Sequence, residues 1–94
     1  MLNKIKRLFR IWKIKNDLKG LNMVVDELNR MIYLDRCELN EMRGKILHGK
    51  REPEFYEKEM EELTTSIDLY EDMKNNARER MKSLKIELDN LKNK

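Results

Sequence analysis

Few side chains in this sequence have types and spacing that could do chemistry. His48 is the only histidine and Cys37 the only cysteine, eleven residues apart. A structural zinc centre takes four nitrogen or thiolate ligands, and a catalytic one takes three with an open position. Two such residues fall short of either, so no metal site is expected. A cysteine nucleophile needs a neighbouring base and a pocket that favours the thiolate. Nothing adjacent to Cys37 supplies these, and it reads as a packed or half-exposed thiol. His48 sits in a turn-forming segment and reads as a solvated turn residue. Glu57, Glu59, Glu61 and Glu62 match carboxylate ligands in number only. They lack the Glu-x-x-His pairing of metal sites in helical bundles, so they read as a solvated acidic face. There is no glycine-rich phosphate loop. The chain is therefore expected not to be an enzyme and to have no catalytic residues and no cofactor.

The elements that carry these residues are written in the composition. Of 94 residues, 41% are charged, 39% hydrophobic and 6% aromatic, with one proline and three glycines. Abundant Glu, Lys, Arg, Leu and Met with few turn formers favour long helices. No run of about 18 apolar residues exists to span a membrane. The basic N-terminus has no uninterrupted apolar core or small-residue cleavage site, so it does not read as a secretory signal. With a single cysteine no intrachain disulfide forms, and a cytoplasmic location is expected, with membrane association as an option.

Two apolar series recur at heptad spacing. The first is Ile11, Ile14, Leu18, Leu21, Val25, Leu28, Ile32, Leu39, Met42 and Ile46, broken only by Asp35. The second is Tyr56, Met60, Leu63, Ile67, Tyr70, Ala77, Met81, Leu84, Leu88 and Leu91, broken only by Lys74. Sustained tracts of this kind mark helices that meet along a coiled-coil seam. Between them, Gly49 suits a left-handed helix C-cap and Pro53 the first turn of a new helix. A short connection makes the helices antiparallel neighbours. Pairing Ile46 with Tyr56, Met42 with Met60, and so on to Ile11 with Leu91 matches the tracts end to end. A one-heptad shift would instead face Asp35 with Lys74 but leave Phe55, Tyr56 and Met60 beyond the turn. Short loops favour the first register.

The expected fold is all-α: an antiparallel, coiled-coil-like helical hairpin over 17–94, with helices about 17–47 and 53–92 and a turn at 48–52, plus an extra amphipathic helix over 1–16. Asn16 or Asp17 could cap a new helix and Gly20 weakens the region, so the chain could bend there. Leu21, Val25, Leu28, Ile32, Leu39, Leu63, Ile67, Tyr70, Met81, Leu84 and Leu88 are the expected core. Met23, Val24, Met31, Leu34, Cys37, Phe55, Leu69, Met73 and Ile86 lie off the seam, where exposed they would make patches that monomers avoid. Assembly into a homo-oligomeric bundle is therefore expected.

Charge is segmented. Residues 1–20 hold seven basic side chains against Asp17 alone, while 54–72 hold eight carboxylates against Lys58. In the first segment Ile5, Leu8, Phe9 and Trp12 recur at helical spacing off the hairpin seam, with Arg7 and Arg10 beside them. Large aromatics next to arginine are common energetic anchors of interfaces, and these six are the expected partner-binding residues. Tyr33, also off the seam, is a further contact candidate. The sequence thus points to a small accessory protein for interaction and assembly, which self-associates and docks a protein partner through its N-terminal helix. One alternative is a peripheral protein whose basic N-terminal helix binds an anionic membrane surface. Another is a small inhibitor or sequestering protein of phage or plasmid type that binds an anionic ligand or a host protein. Nucleic acid or a nucleotide ranks below these partners, because the aromatics lie opposite the basic side rather than in a stacking groove.

Overall fold

The seam residues set where the helices run. In the computed structural model, which describes residues 2–93, the chain is an all-helical hairpin of α1 (Leu2–Leu47) and α2 (Pro53–Lys92). The link is the one its residues dictate. Gly49 takes a φ of 70°, the left-handed region that glycine enters without a Cβ penalty. Around it the Lys50 amide donates to the Lys45 carbonyl at 2.9 Å and the Gly49 amide to the Ile46 carbonyl at 3.1 Å. This pair of bonds is the Schellman motif, which satisfies carbonyls that a helix end would otherwise strand. Pro53 then opens α2, where its missing N–H is no loss.

The helices form two compact units, one of residues 27–73 and one of 1–26 with 74–94. In the turn-bearing unit, Ile32, Leu39 and Ile67 form a buried cluster, with Met60, Leu63 and Tyr70 packed against it. Leu28, Met42 and Tyr56 are also buried. Met60 reaches this cluster in the end-to-end register. The shifted register would place it beyond the turn. Arg36 ties α1 to Glu71 of α2 at 3.0 Å.

In the unit of the chain ends, Ile14 and Leu84 are fully buried, and Val25 and Ala77 nearly so. Leu18, Leu21, Met81 and Leu88 are half-buried beside them. Arg10 pairs with Glu87 through two bonds of 2.8 and 2.9 Å. The end-to-end register sets these two about 7.5 Å apart along the axis, within reach of two long side chains, and a one-heptad shift sets them about 18 Å apart. Each unit is thus in the same register. Burial of each large apolar side chain contributes about 1.5–3 kcal/mol, and the helices hold together through these seam residues rather than through exposed ion pairs.

One expectation about element boundaries differs from what is seen. Among the described residues, 2–16 form no helix of their own: α1 runs unbroken through Asn16, Asp17 and Gly20. Ile11, Ile14 and Leu18 carry the seam straight through this stretch. A mid-helix glycine costs only about 1 kcal/mol, less than the burial that a bend would forfeit.

Candidate functional site

The first three turns of α1 carry the candidate surface. Helical geometry at about 100° per residue places Leu2, Ile5, Leu8, Phe9 and Trp12 within one arc of about 120°. The seam residues Ile11, Ile14 and Leu18 lie roughly opposite that arc, so the five side chains point away from α2. They are all exposed, Phe9 by 61% and Trp12 by 60%. The two rings lie against each other with centroids 5.8 Å apart and planes tilted by 35°, a geometry within the favourable range for aromatic pairs.

Lysines border this stripe on both sides. By the same geometry Lys15 flanks one edge, and Lys6 and Lys13 the other, while Lys4 lies one heptad before Ile11 on the seam side; all four are exposed. The stripe ends where Asn16 and Lys19 take over the outward positions. An apolar band bordered by long cationic side chains lets the aliphatic stems lie along the band and the ammonium groups reach outward.

The two arginines expected to join this surface face the other way. Arg10 lies at the flank of the seam and is engaged by Glu87. The hydrogen bond to Arg10 holds the Glu87 carboxyl below the usual carboxylate range, and the same bond raises the Arg10 guanidinium above its ordinary value. Arg7 occupies a seam position one turn before Ile11 and is half-buried. Its Nε is shielded from solvent and has no hydrogen-bond partner. Of the six expected contact residues, Ile5, Leu8, Phe9 and Trp12 share the outward stripe; Arg7 and Arg10 belong to the hairpin side. Extending the heptad frame backwards to Arg7, and reading Arg10 and Glu87 as residues flanking an antiparallel seam, would have signalled this.

A second feature emerges only from folding. The chain-end unit joins the basic N-terminal segment to residues 74–94, which hold seven basic side chains against Glu79, Glu87 and Asp89. The unit therefore carries fourteen basic and five acidic residues, a net +9. The turn-bearing unit carries seven basic and thirteen acidic, a net −6. The formal +3 of the whole chain conceals two strongly charged bodies of opposite sign.

The remaining chemistry-bearing residues are dispersed. Cys37 is exposed, and hydrogen bonding to it, one turn along α1, pushes the Tyr33 hydroxyl above its ordinary value. His48 is an exposed residue of the turn. Among the described residues no three His, Cys, Asp or Glu side chains gather as a metal site. The hollows are open to solvent. One of them, about 740 Å³, lies at the turn, lined by residues that include Ile46, Pro53 and Phe55. Among the described residues no helix is long and apolar enough to cross a membrane. Comparison with protein-family models, curated proteins and solved structures finds no match for this chain.

Proposed function

We propose that this chain is a non-enzymatic interaction and assembly protein. Its hairpin self-associates as a scaffold, and the outward stripe of α1 docks a partner surface. The observation that carries this reading is surface that no part of the chain covers. The accessible area is 7563 Å², whereas a compact monomer of this mass exposes about 5,800 Å². The surplus is about twice the area, about 800 Å², that each partner buries in a stable interface of standard size. Much of it is apolar: besides the stripe, Met23, Val24 and Ile86 are exposed in one unit and Tyr33, Leu34 and Leu69 in the other.

The test is the mass in solution, measured by light scattering behind a sizing column, for the native chain and for a Phe9→Asp/Trp12→Asp variant. The native chain is expected to exceed the mass of one copy. The variant, whose changes lie on exposed positions, is expected to keep its helicity by circular dichroism. A native chain that stays monomeric across micromolar concentrations removes self-association. A variant that loses most of its helical signal makes the stripe part of the core and removes the docking role.

A further inference from the structure

Two observations about the chain-end unit converge, one on its charge and one on its apolar stripe. A net +9 on about half of a small chain attracts anions over roughly a Debye length, about 8 Å at physiological salt. The stripe gives that attraction a specific form. A protein groove for an anionic peptide would place cationic groups at its centre; here the centre is Leu2, Ile5, Leu8, Phe9 and Trp12, and the cations stand along the edges. Nucleic acid calls for aromatic rings within a cationic track so that bases stack, and these rings occupy the apolar band between the lysines. A lipid interface meets both demands at once. Its acyl boundary takes the band, its headgroups take the lysines on either side, and Trp prefers the level between them.

We infer that the outward stripe of α1 is a membrane-surface contact selective for anionic lipid, with Phe9 in the acyl boundary, Trp12 at the headgroup level and Lys6, Lys13 and Lys15 on lipid phosphates. This names the partner of the docking face proposed above and rests on that reading. The apolar part alone is too small for stable attachment, since exposed side chains such as Phe9 gain only the partial burial that the interface offers. Each lysine near an anionic leaflet adds about 1 kcal/mol, a factor of about five in partitioning. Three of them make the contact strongly dependent on lipid charge. The turn-bearing unit, with its net −6, is repelled by the same leaflet, so the stripe governs which part of the chain touches the membrane.

Trp12 is the only tryptophan, so its emission reports on the stripe directly. The full chain is titrated with neutral phosphatidylcholine vesicles and with vesicles containing phosphatidylserine. The expected result is a blue shift and co-sedimentation with the anionic vesicles only, reversed by high salt. Lys6, Lys13 and Lys15 all changed to Gln should weaken partitioning by about two orders of magnitude. Phe9→Asp should weaken it at least tenfold, with unchanged helicity in both variants. Equal binding to neutral vesicles overturns the inference. So does a blue shift produced by raising protein concentration without lipid, or by duplex DNA without vesicles; these assign the stripe to a second copy or to nucleic acid and leave the docking reading intact. An emission spectrum that no partner moves overturns both.

Discussion

Leu84→Ala offers the sharpest test of the hairpin. Leu84 is, among the described residues, one of two large side chains with no exposed surface, and it lies on α2 among seam residues of the chain-end unit. Truncation removes the transfer energy of the lost methyl and methine groups and leaves a cavity. Buried leucines lose about 2.7–5 kcal/mol in this way, the spread reflecting how far the surroundings collapse. A two-helix seam closes more readily than the middle of a globule, so the lower part of that range applies, about 3 kcal/mol. For a domain of this size each kcal/mol moves the melting midpoint by about 4–8 °C, which gives a drop of about 12–24 °C. The control is Leu69→Ala on the same helix, where the leucine is 56% exposed and the expected loss is under about 1 kcal/mol. The assay is urea and thermal unfolding by circular dichroism at several protein concentrations, because assembly makes the midpoint concentration-dependent. Similar losses for the two variants, or a loss under about 1 kcal/mol at Leu84, would refute the claim that the seam rather than the outer faces holds the helices together.

Three further outcomes are expected. Gly49→Ala meets no atom within 4 Å of the added Cβ, so its cost is purely that of a left-handed backbone, about 1 kcal/mol, read as a shift in urea midpoint. Because Arg10 holds the folded-state Glu87 carboxyl below its ordinary range, the stability from this pair is present above that range and is lost as pH falls through the lower folded value. Glu87→Gln should flatten that part of the acid limb when melting temperature is followed against pH, leaving neutral-to-alkaline behaviour nearly unchanged. Exposed Cys37 should react with a thiol reagent at an open-chain rate when the protein is dilute and more slowly as concentration rises and copies cover that face; a rate independent of concentration would place Cys37 outside any self-contact.

The hairpin was legible because its signals agree at several scales. Ile32, Leu39, Ile67 and Leu84 fall on one heptad frame, and Gly49 and Pro53 punctuate it where that frame breaks. The helix through Asn16, Asp17 and Gly20 was harder to read. Capping and propensity there argue for a bend, but they act over a residue or two and yield to a seam that continues on either side. The places of Arg7 and Arg10 follow when the heptad frame of Ile11 and Ile14 is carried back one turn, a signal that the neighbouring aromatics obscured. The joining of two basic tracts escaped a reading made along the chain, because residues 1–26 and 74–94 become one body only when the turn returns α2 to α1.

The matched seam also constrains how such a chain can change in length. A single residue inserted between Leu21 and Ile32 turns everything beyond it by about 100° and carries the following seam positions toward solvent. An insertion of seven in one arm restores the angle but slides that arm a full heptad past the other. Only paired changes of seven residues, one in each arm at facing places, keep both angle and alignment. Insertions at 50–52 escape this arithmetic, because that stretch follows the glycine that ends α1 and precedes the proline that opens α2. Relatives of this chain should therefore differ freely in the turn, while their two arms lengthen or shorten together in steps of seven.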